Sequence, residues 1–166
     1  MKKIILGLFI FGLTIQSFAQ IVELPEVEIV AVNYKYLDNV NESDAAEAVK
    51  LLQREVAAFD LQNSEYYEDQ YDDYFISFYI PQGKILASYD KEGNVLRTVE
   101  KYKNIALPNA VSKSVVKNYA GWTISENAYL VNYHDKKGVT KKEYKILLEK
   151  DSRRMRIKTD ENGNIL

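Results

Sequence analysis

Between Glu65 and Asp73 the chain reads EYYEDQYDD, with carboxylates at Glu65, Glu68, Asp69, Asp72 and Asp73. Carboxylates this dense create a local field that could hold Ca²⁺ weakly, because calcium is satisfied by hard oxygen ligands. The same spacing suits a solvated acidic loop that faces the basic strand of the other half of the chain, and this is the expectation. The basic counterpart is RRMRIKT, Arg153–Thr159. If Met155, Ile157 and Thr159 face a core, Arg154, Arg156 and Lys158 project together from the opposite face, with Lys145 on a neighbouring strand. Guanidinium groups presented in a row can engage carboxylates or phosphates bidentately. Long cationic side chains also simply blunt a strand edge.

Tyrosine is abundant, with 13 in the chain. It combines a large rigid surface with a polar tip and so favours interfaces, although it is also a good strand residue. Tyr66, Tyr67 and Tyr71 lie among the carboxylates and are the interface candidates; Tyr74, Tyr144 and Trp122 are expected in the core.

A third pattern is D-x-x-G, in YDKEGNVL (Tyr89–Leu96), in TDENGNIL (Thr159–Leu166) and at Asp135–Gly138. Asp at the start of a type I turn accepts backbone N–H bonds, and Gly behind the turn supplies positive φ. A calcium loop of the EF-hand kind needs Gly at its sixth position and Glu at its twelfth. Here Gly is fourth, and Leu166 ends the second copy too early. These segments are therefore read as hairpin corners.

Signatures of catalysis are sparse. The sole histidine, His134, could act as a base, and acidic residues could pair for acid–base work. There is no cysteine, no G-x-S-x-G, no H-E-x-x-H, no P-loop and no G-x-G-x-x-G. No cofactor is implied.

The elements that must position these residues begin after an export signal. Met1–Gln20, MKKIILGLFIFGLTIQSFAQ, has a charged start at Lys2 and Lys3, an apolar stretch from Ile4 to Ile15, and Ser17-Phe18-Ala19 as a small-x-small cleavage site. It is shorter than a membrane span requires. Cleavage after Ala19 implies a secreted or periplasmic product of 147 residues, enough for one domain or two very small ones. Charge is distributed unevenly. Residues 20–100 hold 17 acidic and 6 basic side chains; residues 101–166 hold 7 and 14. A bipolar chain of this kind is not a nucleic-acid binder, which needs one coherent basic surface. The expectation is that the two halves attract each other within one fold.

Ile21–Tyr36 alternates and reads as a strand within an N-terminal segment, 20–42. The spacing of Ala45, Ala48, Val49, Leu52, Val56 and Phe59 predicts a helix, with Asp44 and Glu47 as a capping box. Three strands follow, FISFYI, KILASY and NVLRTVEKY, joined by Pro81-Gln82-Gly83 and by the Asp90 corner. The order then restarts: a helix opened by Pro108 with Leu107, Val111, Val115 and Tyr119 on one face, then AYLVNY, EYKILLE and RRMRIKT. The fold class is α+β, with two tandem units of a helix and an antiparallel meander, 43–103 and 104–166, behind the signal 1–19.

LPNAV opening a helix, the break at NYAGW, the strand EYKILLE and the closing TDENGNIL together resemble the PepSY-like family of exported bacterial proteins. The leader ending in Ala-Gln is similar to those of Bacteroidetes. The resemblance implies a β-lactamase-inhibitor-protein-like fold and an exported protein, but no catalytic positions. From these features the function is expected to be non-catalytic binding of a protein or peptide, with no nucleic acid and no membrane span. One alternative is inhibition or regulation of an envelope peptidase or hydrolase; a second is an enzyme using carboxylates or His134.

Overall fold

The structure, a computed structural model, describes residues 33–166. Three helices, α1 (Tyr34–Val40), α2 (Glu47–Ala58) and α3 (Asn109–Asn118), accompany six strands. The strands are β1 (Asp73–Ile80), β2 (Gly83–Asp90), β3 (Val95–Lys103), β4 (Thr123–His134), β5 (Gly138–Lys150) and β6 (Arg153–Thr159). They form one antiparallel sheet in the order β1-β2-β3-β4-β5-β6. A helix followed by three strands occurs twice, and β3–β4 pairing joins the two series. The class is α+β, as expected.

α2 forms because EAVKLLQREVAA is rich in strong helix formers and buries Val49, Leu52, Gln53 and Val56 at i, i+3, i+4 and i+7. That stripe lies on β1 and β2. α1 sits beside it over β4 and β5, burying Tyr36 and Val40 one turn apart. α3 buries Val111 and Val115, and its first turn lies against the last hairpin corner, where Gly163 approaches the Ala110 carbonyl. All three helices cover one face of the sheet. The core between them includes Tyr74, Ile85, Tyr89, Tyr102, Tyr129, Tyr144 and Leu148.

The D-x-x-G corners at Asp90 and Asp160 share a common turn geometry, which the third, at Asp135, does not repeat. Asp90 and Asp160 each accept the backbone N–H of the Asn four residues on at 2.8 Å, and that Asn's amide returns to the same carboxylate. Gly93 and Gly163 take φ of +86° and +81°, which Gly alone adopts without strain.

Four expectations are corrected. Within the strand expected over Ile21–Tyr36, Tyr34–Tyr36 instead open α1, and residues 21–32 lie outside the described residues, as does the export signal. The Leu37 N–H bonds back to the Asn33 carbonyl at 3.2 Å, a helical turn, while the Asn33 side chain donates to the Gly93 carbonyl at 3.1 Å and accepts from Val95 N–H at 2.6 Å. Asp44 does not cap α2. The cap position is Ala46, and Asp44 accepts the Ser43 hydroxyl instead. The acidic loop does not face the basic strand: it leads into edge strand β1, whereas β6 is the opposite edge. Five inter-strand steps of ~4.8 Å put them roughly 24 Å apart. The fourth correction concerns Tyr67 and follows below.

Candidate binding face

β-Strands send alternate side chains to opposite faces, and among the described residues only one face is covered. On the bare face the register aligns three rows. Phe75, Ser88, Arg97 and His134 form one; Ser77, Leu86, Val99, Asn132 and Lys141 the next; Tyr79, Lys84, Lys101, Leu130 and Glu143 the third. Phe75 is 70% exposed, Tyr79 68% and Val99 56%, with Leu86 exposed between them. An apolar patch thus spans β1 to β3.

Toward β6 the same face becomes cationic. Lys103, Ala128, Lys145 and Lys158 stand in cross-strand register, with Leu147 opposite Arg156 and Glu149 opposite Arg154. Ala128 is the small member of its row. A trough of about 280 Å³ opens over it, walled by Lys101, Lys103, Lys145, Leu147 and Arg156, with Glu126 at the rim. A second hollow of about 350 Å³ adjoins it, sharing Lys101 and Lys103 and adding Tyr79 and Lys84. Arg154, Arg156 and Lys158 therefore project together on the face the strand alternation assigns to them, and Lys145 lies beside Lys158. Arg154 is engaged by Glu149 at 2.7 Å. Glu143 Oε1 lies 3.2 Å from the Lys141 ammonium and 3.7 Å from that of Lys145, an ion pair with each. Burial pushes the Glu143 carboxyl up, but the Lys141 hydrogen bond and the charges of Lys141, Lys158 and Lys145 outweigh it and hold it below its usual value.

The acidic loop is less of a site. Glu65, Glu68, Asp69, Asp72 and Asp73 are all exposed. Glu68 accepts from the Gln70 amide, and Asp72 lies 3.9 Å from Lys91. Among the described residues no three His, Cys, Asp or Glu side chains are grouped to hold a metal ion. Tyr66 and Tyr71 protrude, but Tyr67 does not belong with them: its ring stacks on Tyr74 at 5.6 Å and packs against the core. Tyr74 and Tyr144 are core residues, and half-buried Trp122 carries the Arg153 guanidinium over its ring at 5.7 Å. The Nδ1 of His134 faces Asp135 at 2.7 Å and the Lys136 N–H at 3.1 Å.

One residue with perturbed chemistry escaped sequence reading. Glu100 is fully buried on the covered face. Its Oε1 accepts the Tyr36 hydroxyl at 2.8 Å and the Thr98 hydroxyl at 2.9 Å. Its Oε2 accepts the Gln53 amide at 2.9 Å and the Tyr102 hydroxyl at 3.1 Å. Burial raises the Glu100 carboxyl above its ordinary value, and these four donors only partly offset that. Because its neighbours span α1, α2 and β3, Glu100 ties two helices to the sheet and has no access to a substrate.

No protein-family model and no curated protein sequence matches the chain. The PepSY-like resemblance thus has no family model behind it. Among solved structures, the chain is similar to a BLIP-like protein from Bacteroides fragilis, with 16% identity over 60% of this chain and 68% of that one, at a TM-score of 0.34.

Proposed function

We propose that the chain is an exported, non-catalytic binding protein that engages a protein or peptide partner on the bare face of its sheet. The observation that supports this is the clustering of Phe75, Tyr79, Leu86 and Val99 on adjacent strands of the uncovered face. Soluble proteins leave single apolar side chains exposed as a matter of course, whereas contiguous patches mark contact surfaces. Export rests on the Met1–Gln20 pattern alone, and fractionation with mass analysis of the mature N-terminus tests it. The halves 43–103 and 104–166 are read as a duplicated helix-plus-meander unit. Among the described residues no helix is long and apolar enough to cross a membrane.

The test is capture from a periplasmic or culture extract by immobilised protein. Leu86→Asp with Val99→Asp should fold normally and lose the captured partner. Retained capture would overturn the reading. A second reading, control of an envelope hydrolase, is favoured by the protruding Tyr66 and Tyr71. It requires the converse: capture lost in the Tyr66→Ala, Tyr71→Ala double variant and kept when the sheet face is altered.

A further inference from the structure

Lys84 stands directly opposite Lys101 in the β2–β3 register, and Lys145 directly opposite Lys158 in the β5–β6 register. Both pairs point away from the helices, on the same bare face. Like charges in directly opposed positions destabilise a sheet; of the four such pairs in this register, which also include Asp73–Asp90 and Lys150–Arg153, these two flank one trough on the bare face. Lys103 and Arg156 complete its walls. Among the described residues Lys84, Lys101, Lys103, Arg156 and Lys158 make no ion pair, although the face has its own carboxylates. On β3 to β6 those are Glu126, Glu143 and Glu149; Glu143 is engaged by Lys141 and Lys145, and Glu149 by Arg154. Every other charged position on that part of the face is Lys or Arg.

We infer that the trough is an anion-binding site for the partner, and that the occupant is an acidic polypeptide segment presenting carboxylates to Lys101 and Lys145, which both line the trough beside Ala128. This rests on the bare sheet face being the binding face. A surface that places cations opposite one another, with Lys84, Lys101 and Lys158 unpaired among the described residues and Lys145 sharing Glu143 with Lys141, gains most from a ligand that supplies further negative charge. A polypeptide is favoured over a small anion because the trough is shallow and small for an enclosed small-molecule site. It also runs into the apolar patch through Lys84, Lys101 and Tyr79, so an extended chain with mixed acidic and apolar side chains is complementary along its whole length. Steering by this face makes association depend steeply on ionic strength.

The probe is poly-L-glutamate, titrated calorimetrically into the protein at low and at physiological salt. Saturable binding is expected, weakened about tenfold or more in Lys101→Glu with Lys145→Glu. Lys113→Glu with Lys117→Glu, an equal charge change on α3, should leave it intact. Lys101→Gln should also raise the melting temperature of the free protein, since it removes one of the opposed pairs; an ordinary solvated face would not combine that gain with lost binding. Equal weakening in both double variants would reduce the effect to net charge and overturn the site. Tighter binding of dextran sulfate than of poly-L-glutamate would overturn the polypeptide in favour of an anionic glycan. Concentration-dependent assembly abolished by the Lys101/Lys145 variant would replace the partner with the acidic loop of a second copy. If capture is lost in the Leu86/Val99 variant while poly-L-glutamate fails to bind, the binding face stands and the acidic occupant falls.

Discussion

The ring of Tyr102 packs directly against Gly83: a Cβ placed on Gly83 would collide with Tyr102 Cδ1 and Cε1. The two residues are cross-strand partners, and the absent side chain lets the Tyr102 hydroxyl reach Glu100. Gly83 is thus a packing requirement rather than a turn requirement. Gly83→Ala should cost about 2 kcal/mol by overpacking, read as a lower denaturant midpoint at unchanged slope. An unaltered midpoint would mean that the ring has room to move.

Glu100 carries a pH signature. Its folded-state affinity for a proton is raised, so its contribution to stability is full below the ordinary glutamate value and is lost as pH rises through the raised one. Subtracting the Glu100→Gln stability curve from that of the wild type should leave a component that declines with pH above about 4.3. Asp160 acts with the opposite sign. Burial raises it, but the Asn164 side chain and the backbone N–H groups around the turn lower it further, so its contribution is lost as pH falls below the ordinary aspartate value. A flat difference curve for Glu100→Gln would show that the buried carboxyl titrates as in the unfolded chain.

The two matching corners should respond unequally to the same change. At Gly93 an added Cβ finds only Leu61 Cβ at 3.9 Å, so Gly93→Ala should cost about 1 kcal/mol for the positive φ alone. At Gly163 it would meet the Ala110 carbonyl oxygen at 2.6 Å and Ser114 Cβ at 3.0 Å. Gly163→Ala should cost about 3 kcal/mol, because strain and the displacement of α3 combine. Equal losses in chemical denaturation would mean that α3 is not held by this contact.

Within the acidic loop, stability and exposure should separate. Tyr67→Ala removes a ring stacked on Tyr74 and should lower the melting temperature by several degrees, a loss of about 1–2 kcal/mol. Tyr66→Ala should leave it close to wild type, and Tyr71→Ala, which removes an edge contact on Tyr74 at 6.4 Å from a half-exposed ring, should cost less than Tyr67→Ala. Millimolar calcium should leave all four proteins unmoved in differential scanning; a rise confined to calcium would establish a site in the loop.

Strand alternation and the D-x-x-G corners were enough to read the meander, the inward side of β6 and the outward row Arg154, Arg156 and Lys158. Strand alternation alone does not say which side faces in where polarity and packing disagree. In Thr98–Tyr102, TVEKY, the apolar Val99 is exposed and Glu100 is buried, the reverse of their hydrophobicity. Tyr102 and Tyr129 decide it, since their rings must lie in the core. That reversal accounts for both unforeseen features, the buried carboxyl and the exposed apolar patch. α1 was missed because period-two alternation upstream carried the strand reading into it. Its own signal, Tyr36 and Val40 spaced by four, is only one turn long. The trough over Ala128 depends on which residues of four strands come into register, and no single segment carries that information.

The strictly sequential strand order has a consequence for how the molecule comes into being. Each strand pairs with the one made just before it, so the chain can be assembled in the direction of its synthesis, with short turns to close at every step except between β3 and β4, where α3 intervenes. The Tyr36, Gln53, Thr98 and Tyr102 ring around Glu100 is complete once Tyr102 has arrived, and it staples the first half together early. From then until β4 pairs, β3 is an open template with bare amides and carbonyls. A nascent chain stalled between Lys103 and Thr123 is therefore the form of this protein most exposed to aggregation and the one most in need of a chaperone.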